Sequence, residues 1–276
     1  MASTQNSFPL TGPINLHARL GHGRITVTAI DDLDTATVTL RPRKAGLTKG
    51  ATNEVIDRMV VEMRGPTLSV TAPRQGGIFD MFGGLRREKD GVDVEVQVPS
   101  GTALKISTFT AAVELVGRSG GADVATGAAA ITLDHVDGNL VLRYGSGTSK
   151  VTHVSGSVTI RSGSGDATLG TVDGELQAGC GSGRLEVGTV RGAVRSRAGS
   201  GDALLGVVYG DVDLASGTGT MQIGLPPGVA AKLDVTTGSG SVNTDLPIEA
   251  GPRHEAPVIT VRARTGSGNI RLFRAA

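Results

Sequence analysis

Hydrophobic and polar positions alternate along much of this chain with a period of two, and the alternation itself recurs. Over residues 163–180 (GSGDATLGTVDGELQAGC), Ala167 and Leu169 fall on one face, Val172 sits near a bend, and Leu176, Ala178 and Cys180 return to the first face. The next stretch puts Leu185, Val187, Val190, Val194, Ser196 and Ala198 in the same slots, and the one after puts Ala203, Leu205, Val208, Val212, Leu214 and Ser216 there. Alternation of this kind between turn residues predicts short strands. Each stretch reads as two strands separated by glycine bends. No window carries a convincing 3.6-residue period.

The stretches have a fixed length. Gly-(Ser/Thr)-Gly begins at Gly145, Gly163, Gly181, Gly199 and Gly217, a constant spacing of 18 residues. Val136, Val154, Val172, Val190 and Val208 share that spacing, each followed two residues later by glycine. A short period common to glycines and core aliphatics is the mark of a solenoid. At about 3.3 Å per extended residue, one repeat spans about 60 Å, a single circuit of a narrow prism. Successive circuits then pair about 4.8 Å apart, Val on Val and Gly on Gly. The predicted fold is all-β: a right-handed parallel β-helix, or β-solenoid, with 18-residue coils, the hand following from the bias of parallel crossovers.

The lattice weakens on both sides. Gly127 and Phe109 lie one and two periods before Gly145; beyond Gly217 the spacing grows to 21 and then 28, giving Gly238 and Gly266. Pro226-Pro227 and Gly251-Pro252 mark the extra residues as loops leaving the stack. Near the start, GHGRITV at 21–27 echoes GSGRLEV at 181–187. These features predict one β-solenoid domain over 1–276: irregular N-terminal coils at 8–100, regular 18-residue repeats at 101–225, and repeats with loop insertions at 226–276. Strands expected in the irregular part cover 35–40, 55–63, 67–71 and 92–98. Segments 8–30 and 266–276 are expected at the ends of the stack, where unpaired backbone must be capped or used for assembly.

The run VDVEVQVPSG at 92–101, leading through Leu104, Lys105 and Ile106 into the Gly-x-Gly repeats, resembles the bacterial DUF4097 family. So does the ending, LDVTTGSG at 233–240 followed by TGSG at 265–268. The resemblance covers roughly residues 10–275 and implies a β-solenoid. That family is described as β-strand-repeat, adhesin-like proteins of unknown function, without established catalytic residues, so none carries over.

Composition narrows the chemistry. With 42 Gly, no Trp, two Tyr and five Phe, the core must be built from small and β-branched side chains. A net charge of +1 offers no global field for nucleic acid or for an anionic membrane. The first ten residues, MASTQNSFPL, lack a basic segment followed by an apolar one, and no apolar run approaches a membrane span. A cytoplasmic location and no transmembrane segment are expected. The single cysteine, Cys180, excludes an intrachain disulfide and occupies the slot of Ser162, Ala198 and Ser216, as a small core residue.

Residues 18 apart should be neighbours, which picks out candidate clusters. Arg143 and Arg161 should stack, with Arg197 two coils further on and Gly179 between; such a ladder could hold a sulfate, phosphate or uronic carboxylate, or merely keep the surface soluble. His135 and His153 should share a face near Asp134, without a third metal ligand. Asp166 and Asp202 follow Gly-Ser-Gly in alternate coils, the wrong period for a calcium β-roll. The run GGIFDMFGGLRR at 76–87 breaks the lattice; its Ile78, Phe79, Met81 and Phe82 could contact a partner or fold back on the solenoid. No cofactor or metal is expected. The function expected is a non-enzymatic, adhesin-like binding or assembly module with a protein partner or self-association. Alternatives are a polymerising scaffold resembling bactofilins and, third, a carbohydrate-active β-helix enzyme.

Overall fold

The computed structural model describes residues 3–43, 56–72, 91–246 and 258–275. The run at 76–87, with Ile78, Phe79, Met81 and Phe82, and the Gly251-Pro252 turn lie outside these residues. The chain divides into two compact units, Met1–Gly138 and Asn139–Ala276. Both are β-solenoids in which parallel strands stack coil on coil, as the alternation and the 18-residue period predict. Among the described residues, the only helical geometry is a turn at 56–57, and no helix is long and apolar enough to cross a membrane.

Unit 1 contains β1 (Thr4–Pro9), β2 (Asn15–Leu20), β3 (Gly23–Ile30), β4 (Thr35–Pro42), β5 (Val60–Arg64), β6 (Thr67–Thr71), β7 (Val92–Pro99), β8 (Ala103–Thr108), β9 (Ala112–Ser119), β10 (Ala122–Ala128) and β11 (Ile131–Val136). Two strands make each coil. The coil β2–β3 lies between two others: β2 pairs in parallel with β6 and β8, and β3 with β7 and β9. Coil β10–β11 continues the stack on β8 and β9. The outer edge of coil β6–β7 is covered by antiparallel strands, β5 on β6, and β4 on β7 with β1 in turn on β4. Antiparallel cover of this kind satisfies the open edge of a parallel stack. Residues 15–30 are therefore interior, not the end expected. The strand expected over 55–63 begins only at Val60, because Ile56 is buried (7% exposed) and its carbonyl accepts the Met59 N–H in a turn.

Unit 2 contains β12 (Leu140–Val154), β13 (Val158–Val172), β14 (Leu176–Ser182), β15 (Leu185–Val190), β16 (Val194–Ser200), β17 (Ala203–Val208), β18 (Val212–Thr218), β19 (Met221–Leu225), β20 (Ala230–Ser239), β21 (Val242–Thr244), β22 (Val258–Ser267) and β23 (Ile270–Arg274). From β12 to β19 every parallel pair sets residue i beside residue i+18. Val154, Val172, Val190 and Val208 form one column, each 0% exposed. Each such side chain contributes about 1.5–3 kcal/mol by leaving water.

The register then departs from sequence order. β18 pairs with β22, and β22 with β20, so the last coil inserts between coil 212–225 and coil 230–244. On the opposite face β23 likewise separates β19 from β21. Residues 266–275 are thus not at the end of the stack; among the described residues, coil 230–244 is outermost. The wider spacings to Gly238 and Gly266 record a skipped coil position that the C-terminal residues fill.

Candidate functional site

One outer face of unit 2 is assembled from the first strand of every coil. Because strands alternate, Leu140, Leu142 and Tyr144 point inward while Val141 and Arg143 point out, and each later coil repeats the choice. The register runs Arg143–Arg161–Gly179–Arg197–Ala215–Arg264–Thr236. The next outward column reads Val141–Thr159–Gln177–Arg195–Asp213–Arg262–Asp234. These two columns hold six arginines and two aspartates. Coils separated by more than a hundred residues of sequence contribute to them.

The two acids are engaged locally. Arg197 donates through both terminal nitrogens to the Asp213 carboxylate, at 2.7 and 3.1 Å. Arg264 donates to Asp234 at 2.9 Å. The hydrogen bond from Arg197 holds the Asp213 carboxyl below its usual range, and the charges of Arg262 and Arg195 act in the same direction. Both ion pairs are solvent-exposed, so each adds little to stability.

Gly179 and Ala215 interrupt the arginine column with small residues. At Ala215 this leaves an open cavity of about 370 Å³, with Arg197 and Arg264 among its walls and Ala215, Ser216, Gly217 and Gly266 also lining it. At Gly179 a Cβ would meet nothing within 4 Å.

The Gly-Ser-Gly motif borders this face. In β12 and β13 the strand continues unbroken through it, so there the motif bends the chain without ending the ladder. Its first glycine is fixed by close approach: a Cβ on Gly163 or Gly181 would lie 2.6 Å from the carbonyl oxygen of Gly145 or Gly163, and one on Gly266 2.7 Å from that of Gly217. The central residue makes a hydroxyl column, Ser146–Ser164–Ser182–Ser200–Thr218–Ser267–Ser239. Six of the seven are exposed, Ser146 is half-buried, and their hydroxyls have no partner among the described residues.

The other sequence candidates have structural roles. Asp166 accepts the Arg184 N–H at 2.8 Å, and Asp202 accepts the Thr220 N–H at 2.9 Å, so both carboxylates fasten a coil to the next. Asn139 and Asn269 do the same for Ser157 and Ser241. Sequence reading missed these fasteners, although Asp or Asn directly after a glycine (Gly138, Gly165, Gly201 and Gly268) was the available signal. His153 lies 3.2 Å from Asp173, which also pairs with Arg191. His135 stands opposite Arg118 in β11 of unit 1. No group of three metal-ligating side chains occurs among the described residues. Cys180 shares its column with Ser162, Ala198 and Ser216, and burial pushes its thiol pKa up, away from a reactive thiolate.

No curated protein matches the chain. Among solved structures, it is similar to a "putative adhesin" from Parabacteroides merdae (10% identity, 98% of this chain and 95% of that one, TM-score 0.37). A "putative adhesin" from Bacteroides fragilis matches at 12% identity, 98% and 97% coverage and TM-score 0.36. A "putative lipid binding protein" from Parabacteroides distasonis matches at 12% identity, 99% and 97% coverage and TM-score 0.33. The family model described as Toastrack DUF4097 matches residues 27–275, and the chain belongs to that family.

Proposed function

We propose that the protein is a non-enzymatic, adhesin-like binding module whose outward columns present ligand-contacting side chains at fixed spacing. The observation that carries this reading is the column Arg143–Arg161–Gly179–Arg197–Ala215–Arg264, held by backbone ladders on both flanks. A surface ordered before the ligand arrives spends little binding energy on ordering itself. The test is saturable binding of the full chain to a panel of immobilised polymers: neutral glycans, acidic glycans, anionic lipid and protein. At least one should be bound and recovered uncleaved. Shortening of the bound polymer would move the protein to the carbohydrate-active enzymes, and no binding at all would sink the reading.

A second reading, end-to-end self-association, is favoured by the outermost coil. Leu233 and Val242 are 41% and 44% exposed, whereas Val261 and Ile270, beside them one coil deeper, are each 0% exposed. Their strands have no further partner among the described residues. Antiparallel pairing of β20 with a second copy about Leu233 would set Lys232 opposite Asp234 in both directions. Sedimentation should then show concentration-dependent growth that Leu233→Lys abolishes. A single monomeric species at all concentrations would exclude it.

A further inference from the structure

We infer that the arginine face of unit 2 binds a linear acidic glycan carrying one carboxylate or sulfate per disaccharide, laid across the coils; this rests on the binding-module reading above. Three observations converge on that ligand class. The first is charge. Two adjacent outward columns bring together Arg143, Arg161, Arg195, Arg197, Arg262 and Arg264 against Asp213 and Asp234. The surplus is local, in a chain whose net charge is only +1.

The second observation is spacing. From Arg161 onward the column alternates arginine with a small residue: Arg161, Gly179, Arg197, Ala215, Arg264. Each small residue lies in register between two arginines, and at Ala215 the slot is the 370 Å³ cavity. Beside it, Arg197 and Arg264 are held by Asp213 and Asp234 until an acidic ligand competes for them. Arginines therefore recur every second coil, about 9.6 Å apart at about 4.8 Å per coil. That step is close to the length of two sugar units in an extended glycan. It is far longer than the axial step between phosphates on each strand of a duplex, about 3.4 Å. Guanidinium groups suit carboxylate and sulfate oxygens because their N–H donors are planar and paired.

The third observation is the hydroxyl column. Ser164, Ser182, Ser200, Thr218 and Ser267 run beside the arginine column, one per coil, with hydroxyls unpartnered among the described residues. Glycines between the two columns leave the backbone uncovered. A polyhydroxylated chain can exchange hydrogen bonds with such a row while its charged groups meet the arginines. Nucleic acid is the poorer fit, because single strands are gripped by aromatic side chains on which bases stack, and neither outward column contains one. Acidic glycans are polymers of cell surfaces and capsules, so the proposal carries with it a site of action outside the cytoplasm expected from the first residues.

The test uses the full chain and an end-labelled hyaluronan oligosaccharide, which carries one carboxylate per disaccharide, followed by fluorescence anisotropy. Affinity should fall as salt rises from 50 to 200 mM, by less than the roughly twentyfold that three neutralised phosphates of a single nucleic-acid strand would give, because the charges of this ligand are sparser. R161Q/R197Q/R264Q should weaken binding more than about a hundredfold, at roughly tenfold per lost charged hydrogen bond. Ala215→Glu should supply the slot with the protein's own carboxylate and lower affinity about tenfold or more, while Ala215→Gln, similar in shape and uncharged, should cost less. R184Q, outside these columns, is the control expected to bind normally. All these side chains point outward, and urea midpoints within error of wild type will show that the variants fold. Unchanged binding by R161Q/R197Q/R264Q or by A215E overturns the proposal, as does tighter binding of a single-stranded DNA of equal charge. If neutral dextran or a protein is bound and hyaluronan is not, this inference fails and the binding-module reading stands. If nothing on the panel is bound, both fail.

Discussion

Gly179 and Gly181 lie two residues apart in β14, yet alanine should have opposite effects at them. A Cβ on Gly181 would lie 2.6 Å from the Gly163 carbonyl oxygen, where ordinary contact begins near 3.4 Å. The coils would have to separate locally by about 0.8 Å. Inter-coil hydrogen bonds near 2.8 Å across the same seam, such as Val158 N–H to the Glu175 carbonyl, cannot stretch that far and survive. Losing two to three of them, at about 1 kcal/mol each and somewhat more where a group is left unsatisfied, gives about 2–4 kcal/mol for Gly181→Ala. At Gly179 a Cβ meets nothing within 4 Å. There alanine should stabilise by about 0.5–1 kcal/mol, because it restricts the unfolded chain more than glycine does. Urea unfolding followed by circular dichroism reads both as midpoint shifts of opposite sign at unchanged slope. Equal stability of G181A and wild type, or equal loss in G179A, would refute the close-approach account of the motif.

The inserted coil makes coil 230–244 dependent on residues that follow it in sequence. Val261→Asp, at a position 0% exposed between Val212 and Leu233, should cost about 3–5 kcal/mol; hydrogen exchange should speed in 230–244 and 258–274 together while 140–172 stays protected. Tyr144 is 5% exposed, and its hydroxyl lies 3.1 Å from the Ser149 hydroxyl and donates to the Asp166 carbonyl at 3.2 Å, so Tyr144→Phe should cost about 1–2 kcal/mol at neutral pH. Burial raises the Tyr144 pKa above 10.0; the folded state then holds the proton more tightly, and stability should decline as pH rises past about 10. That alkaline decline should be shallower in Y144F, and identical profiles would contradict the assignment.

The regular coils were legible because their neighbours are set by arithmetic. The valine column, the placing of Cys180 and the adjacency of Arg143 to Arg161 all follow from a spacing of 18. The order of coils past Gly217 was not legible, because a parallel ladder needs only a matching strand and is indifferent to which part of the sequence supplies it. Spacings of 21 and 28 fit stacking in sequence order as well as they fit insertion. Arg264 could not be joined to the arginine column for the same reason. At the other end, β1, β4 and β5 alternate like the coil strands, and only their antiparallel register reveals them as edge covers. Asp166 and Asp202 were seen as a pair of acids; their role depends on which backbone N–H the next coil presents.

Arg262 and Arg264 join the arginine face only if the C-terminal coil is inserted where β18 meets β22, and disulfide trapping tests this directly. In a Cys180→Ser background, Ala215→Cys with Arg264→Cys places the two thiols at a registered parallel pair, within the few ångströms that a disulfide spans. Ala215→Cys with Thr236→Cys would join the pair that stacking in sequence order predicts, here two coils apart with Arg264 between them. Mild oxidation should cross-link the first combination rapidly and leave the second reduced. Cross-linking of Ala215→Cys to Thr236→Cys in preference to Arg264→Cys would contradict the inserted coil and, with it, the Ala215 slot between Arg197 and Arg264.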